Sequence, residues 1–137
     1  KKTDIAGAMD YLLRVIKKRS VLFLISDFLD KDFQRPLGRA ARKHDLIAVN
    51  IFDPLERHMP KSGIINLVDL ESGREMLVDL SDSSTRRSLA VKAEELRQSL
   101  LTFFRRNKID LIEISTDQDY TDPLYRFFER RAKRIRG

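Results

Sequence analysis

Three short apolar runs constrain the fold of this chain more than any other feature. They are Val21–Ser26 in "RSVLFLISDFLD", the run from Asp45 in "DLIAVNIFDP", and Ile109–Thr116 in "IDLIEIST". The first carries five apolar residues in a row, Val21 to Ile25, and is followed at once by Asp27 and Asp30. A strand apolar on both faces belongs inside a parallel sheet covered by helices on either side. Val21–Ser26 is therefore expected to be a fully buried strand, the run from Asp45 a second one closed by Pro54, and Ile109–Thr116 a third core strand.

The segments between the runs have helical spacing. Ile5, Met9, Leu12, Leu13 and Ile16 lie on one face of a helix over Asp4–Lys18, with Thr3 or Asp4 as its cap. Phe33, Leu37, Ala40 and Ala41 predict a short helix that tolerates Pro36 in its first turn. Gly63–Leu80 instead alternates in polarity around Glu71-Ser72-Gly73-Arg74, which predicts a half-exposed β-hairpin. A long helix follows over Ser84–Asn107, capped by Ser83 or Ser84. Its inner face carries Leu89, Ala93, Leu96, Leu100 and Phe103 or Phe104. Pro123–Arg136 predicts the closing helix. The expected fold is one three-layer α/β domain over 1–137, with a mostly parallel sheet of three core strands, flanking helices and a hairpin inserted at 63–80.

Composition narrows the function classes. With 42% hydrophobic and 35% charged residues, 137 residues suit a globular domain and not a disordered one. No apolar stretch approaches the ~20 residues of a membrane-spanning helix, and no signal peptide is visible. The absence of cysteine removes disulfides and thiolate metal sites. The net charge of +6 is concentrated at one end, where Arg126, Arg130, Arg131, Lys133, Arg134 and Arg136 face a single acid, Glu129. Such cations complement the dipole of a solvated terminal helix. The alternative use of the basic patch Arg130, Arg131, Lys133 and Arg134 is nucleic-acid contact.

Ligands of a parallel sheet sit beyond the carboxyl ends of its strands. The residues placed there are Ser26, Asp27 and Asp30, then Asp53, then Ser115, Thr116, Asp117 and Asp119, with Thr3 approaching the same rim. This oxygen-rich set suits Mg²⁺ better than Zn²⁺. The same residue types also make turns and cap helices. Nucleophilic catalysis has little support, because the chain has 2 histidines and neither lies in a nucleophile–base arrangement. His44 is expected at the surface near a helix end, and His58 in the loop "ERHMPKSG". No glycine loop cradles a phosphate. The enzymatic alternative is a Mg-dependent hydrolase or phosphotransferase using Asp27 and Asp30.

The strings "TDIAGAMDYL", "KKRSVLFLISDFLD", "RKHDLIAVNIFDPLE" and "IDLIEISTDQDYTDPLYRFFERRAKR" together resemble the C-terminal half of domain-of-unknown-function family 58, a bacterial family with a divergent von Willebrand factor type A-like fold. The resemblance implies an adhesion-type Mg²⁺ site in which Thr3 and Asp27 match the second and third ligand elements. The first element, Asp-x-Ser-x-Ser, has no match here; "DSSTR" from Asp82 fails at its last position. The chain is thus expected to be the C-terminal part of a larger type A-like domain and to hold no cofactor by itself, with Mg²⁺ reserved for the intact protein. Its strand Val21–Ser26 would then lie at a sheet edge, and a homodimer or a swapped segment pairing with residues 21–26 is expected to cover it. The resemblance further implies a non-catalytic adaptor acting with a MoxR-type AAA+ ATPase, on the cytoplasmic side of a membrane that longer members reach with N-terminal segments. It implies no small-molecule substrate.

Overall fold

The structure, a computed structural model, describes residues 4–30, 32–57, 59–68 and 74–136. Thr3, His58 and the Glu71-Ser72-Gly73 part of the expected turn lie outside the described residues. The chain divides into two compact units, Lys1–Phe52 with Leu101–Gly137, and Asp53–Leu100.

The first unit is the α/β body. It contains α1 (Ile5–Val15), β1 (Val21–Ser26), α2 (Gln34–Lys43), β2 (Asp45–Phe52), the end of α4 (Ser83–Arg106), β5 (Asp110–Ser115) and α5 (Thr121–Arg136). The sheet order is β1-β2-β5, and both pairings are parallel. α1 starts where the Asp4 carboxylate accepts the Gly7 N–H at 2.7 Å, one of the two caps expected. It ends at Val15, three residues short of the expected Lys18, because Ile16 turns extended. Lys43 Nζ then donates to the carbonyls of Leu13 (3.2 Å) and Ile16 (2.9 Å), satisfying acceptors that a helix end leaves open.

β2 is the centre of the sheet and of the core. Leu46, Ile47, Ala48 and Val49 are all buried. Ile47 and Val49 point to one face, where they join Ile112, Phe127, Ile114 and Leu124 under α5. Leu46 and Ala48 point to the other face, as strand alternation requires, and α2 packs there with Leu37 and Ala40 buried. A second apolar knot links Phe28, Phe33, Phe103 and Phe104 by ring contacts at 5.2–6.2 Å.

The expectation of a fully buried first strand is corrected. Val21, Phe23 and Ile25 are 55%, 49% and 62% exposed. β1 is an edge strand, and α5 lies over β5 and β2, so the α5 face of β1 has little cover. Phe128 of α5 reaches Phe23, ring to ring at 6.2 Å. The expected edge position is therefore the one observed.

At the amino end of the sheet, Arg131 of α5 reaches the carboxylates of Asp45 and Asp110, which open β2 and β5. Arg134 adds a 3.1 Å contact to Asp110, and the Arg131 guanidinium lies 6.0 Å from the Phe127 ring centre. Two carboxylates on neighbouring strand starts would repel each other; a shared guanidinium makes them an anchor for α5.

The second unit holds α3 (Pro54–Arg57), β3 (Ile64–Val68), β4 (Glu75–Asp79) and the longer part of α4. Pro54 does end β2, and it also opens α3. β3 and β4 pair antiparallel, from Ile64↔Asp79 to Val68↔Glu75, which is the hairpin expected. Asn66 Nδ2 donates to Glu75 Oε2 at 2.8 Å across it. Two sequence expectations for α4 are corrected. Its cap is Asp82, whose Oδ2 accepts the Thr85 N–H at 2.9 Å and the Ser84 and Thr85 hydroxyls at 2.5 and 2.8 Å. Those bonds, first that of Ser84, hold the Asp82 carboxyl well below the usual carboxylate range. And Leu96, assigned to the inner face, is 65% exposed; Phe104 is the helix's buried residue.

Candidate functional site

The carboxyl rim of the sheet is where a ligand of this fold would sit, and each acid there has local work. Ser26 closes β1; its hydroxyl accepts the Phe28 N–H at 3.1 Å and donates to Asp27 Oδ1 at 3.4 Å. The same Asp27 oxygen accepts the Leu29 N–H at 3.2 Å. These bonds bend the chain tightly enough to put Phe28 at φ 55, a conformation uncommon for a bulky residue. Burial of the Phe28 ring against Phe33 and Phe104 offsets that strain. Asp30 Oδ2 accepts the Ile5 N–H at 2.9 Å, so the start of α1 comes to the rim, where the sequence placed Thr3. Thr3 itself is outside the described residues.

On β5 the Ser115 hydroxyl donates to Asp117, and Thr116 N–H bonds to Phe52 O at 3.0 Å. Asp119 accepts the Thr121 N–H at 2.7 Å and so caps α5. The Thr121 hydroxyl and N–H hold the Asp119 carboxyl below its ordinary value. Asp53 begins the second unit, where it accepts the Leu55 N–H at 2.9 Å and caps α3. A magnesium site needs several oxygens aimed at one point. Among the described residues no three His, Cys, Asp or Glu side chains converge in that way. One oxygen of Asp27 is engaged by its own turn and one of Asp30 by a helix start.

Two polar residues in the core escaped sequence reasoning. Asn50 is 7% exposed on β2, in register between Ser26 and Glu113, and its Oδ1 has no protein partner among the described residues. Its signal was a single amide inside "DLIAVNIF". A buried amide oxygen without a donor is costly, and water is the usual remedy. His44 was expected at the surface and is 1% exposed, a correction. Its Nδ1 accepts the Ser20 N–H at 3.3 Å, at the junction of α2 and β2, while Nε2 is buried without a partner among the described residues. Its position after the last residue of α2 gave no hint of that burial.

The basic patch is also smaller than its sequence suggests. Arg131, with a side chain 19% exposed, and Arg134 are committed to Asp45 and Asp110, and Lys133 lies 3.7 Å from Glu129. Two cations of the terminal helix, Arg131 and Arg134, thus bind the protein's own body. No helix among the described residues is long and apolar enough to cross a membrane.

Comparison with known proteins agrees with the resemblance seen in the sequence. Residues 1–99 match the family described as Protein of unknown function DUF58. The chain is 32% identical over 133 residues to an uncharacterized protein of Mycobacterium avium, covering 95% of this chain and 77% of that one. It is 33% identical over 135 residues to uncharacterized proteins of Mycobacterium bovis and Mycobacterium tuberculosis, covering 95% of this chain. It spans 41% of the length of those two relatives. No solved structure matches. With the parallel sheet, its flanking helices and the inserted hairpin in place, these matches assign the chain to the DUF58 family.

Proposed function

We propose that this chain is a non-catalytic protein-interaction domain whose β1 edge accepts a further strand. One observation carries the reading: β1 has no neighbour on its outer side among the described residues, and Val21, Phe23 and Ile25 stand about half exposed or more. An apolar edge strand without proline or charge is a template for pairing. Tyr125 and Phe128 of α5, 67% and 46% exposed, extend the apolar surface beside it. For the 137-residue chain alone the occupant is a second copy, paired strand to strand through residues 21–26. Sedimentation velocity tests this: dimers are expected for the wild type and monomers for Ile25→Lys. A monodisperse wild-type monomer overturns it.

The wider role we propose rests on the family resemblance: an adaptor on the cytoplasmic side that works with a MoxR-type AAA+ ATPase in complex assembly. Capture of that ATPase by an intact relative, wild type against the equivalent of Asp27→Ala, is the test. Weaker capture supports the rim as the contact, and unchanged capture removes Asp27 from it.

A further inference from the structure

A groove on the opposite helical layer carries an inference independent of the β1 edge. Arg35, Arg39 and Arg42 recur at i, i+4 and i+7 on α2, so they share one face and span about 10 Å along the helix axis. They line one side of an open groove of about 780 Å³, and Phe103 and Asn107 line the other. Gly38 lies within the arginine row. A Cβ there would come 3.0 Å from Asn107 Oδ1, and Asn107 is itself tied to the Phe103 carbonyl at 2.9 Å. The groove floor is therefore bare backbone beside a fixed amide. The Phe103 ring is held edge-on to Phe33, 86° between planes, and remains partly open to solvent.

Arg39 already takes the carboxylate of Asp10, both side chains being about half exposed. Among the described residues no carboxylate lies within ion-pair range of Arg35 or Arg42. We propose that this groove docks an acidic segment of a partner protein, with carboxylates meeting the arginine row and an apolar side chain on Phe103. Three guanidinium forks spaced ~5–6 Å apart call for a ligand with negative charges repeated at that interval. A free phosphate or a triphosphate is too short to reach all three. A nucleic-acid strand has the reach but carries charge without a break, and Asp10 and Asp32 stand beside the row. A polypeptide can place neutral residues opposite those acids. A helix with Glu at i, i+4 and i+7 matches the spacing of α2.

The test uses the whole 137-residue chain and a fluorescent, alanine-based helical peptide with Glu at those three positions, read by anisotropy. Single-stranded oligonucleotide and tripolyphosphate serve as competitors. The expected result is saturable peptide binding that weakens about tenfold in Arg35→Gln/Arg42→Gln, equivalent to ~1.4 kcal/mol. The double variant should keep the wild-type circular dichroism and melting curve, since both side chains are on the surface. Ile25→Lys should bind as wild type, which separates this site from the β1 edge. The proposal is overturned if the peptide does not bind, if the double variant binds it equally well, or if the oligonucleotide displaces it at lower concentration than unlabelled peptide does.

Discussion

β1 and β2 are built from the same kinds of residue and live in different surroundings. Paired in register from Val21↔Asp45 to Ser26↔Asn50, both are largely aliphatic. Yet Ile47 is 1% exposed and its near-neighbour Ile25 is 62% exposed. The difference lies in what stands next to each strand: β2 has strands on both sides and helices on both faces, while β1 has one strand and thin cover from α5. A strand's own residues state how it would be content to be buried, and its neighbours decide whether it is. The apolar residues left exposed at that edge are what the proposed pairing of β1 rests on.

The largest expected effect breaks the comparison if it fails. Ile47→Ala should lower stability by about 2–4 kcal/mol through lost burial and a cavity that the packed centre cannot close. Ile25→Ala, measured in the same denaturant titration at a concentration where the chain is monomeric, should cost under ~1 kcal/mol. Equal costs would mean that β1 is as well covered as β2. Next comes Arg131→Met, which leaves Asp45 without its cation and Asp110 with Arg134 alone. A loss of about 1–3 kcal/mol is expected, well above that of an exposed ion pair. The additional change Asp110→Asn should recover part of it, and no recovery would show that the guanidinium acts by packing alone. A smaller effect on stability, but the sharpest on the comparison, is that of Ile25→Lys: within ~0.5 kcal/mol by chemical denaturation, with self-association lost.

The smallest expected effect is at acid pH. The Asp119 carboxyl is held below its ordinary value of 3.8 by Thr121, and Asp79 likewise by Ser81. A carboxyl depressed in the folded state adds stability that is fully present above the unfolded value and is lost as pH falls through the folded one. Asp119→Asn should therefore lower the melting temperature slightly at neutral pH, converge on the wild type in acid, and so flatten the fall below pH 4, measured by calorimetry. A melting temperature with unaltered acid slope would remove Asp119 from the acid response.

Much of the body was legible because periodicity and burial coincide there. Four of the five apolar positions expected of the first helix, the three parallel strands and the hairpin follow from patterns of 3.6 or 2 residues; Ile16 lies just past the helix end. What was hidden depends on contacts distant in sequence. Nothing near His44 announces that Ser20 will donate to it from 24 residues away. Leu96 fits a helical stripe, but a stripe is buried only where something packs on it. The cap of α4 was missed by one or two residues because Ser83, Ser84 and Asp82 are all good caps, and the carboxylate that can accept three bonds at once took the position. The rim acids were read correctly as residues at strand ends. What no pattern announces is their local hydrogen bonding, Asp27 to the Leu29 N–H and Asp30 to the Ile5 N–H. The arginine row on α2 is inconspicuous in the sequence beside the denser cluster at the chain's end, where Arg131, Lys133 and Arg134 all have carboxylate partners.

The Arg131 clasp also has a consequence in time. Its two ends, Arg131 and Asp45, are 86 residues apart. As the chain leaves the ribosome, β1, α2 and β2 emerge together and can pair while later elements are still being made. The α5 face of β2 then stays bare until α5 appears, so nascent chains carry the buried aliphatics of the finished core on an open surface. Ribosome-bound chains ending before residue 121 should therefore bind a hydrophobic-surface dye or a holdase chaperone, and chains extended past Arg134 should lose that binding once α5 clears the exit tunnel.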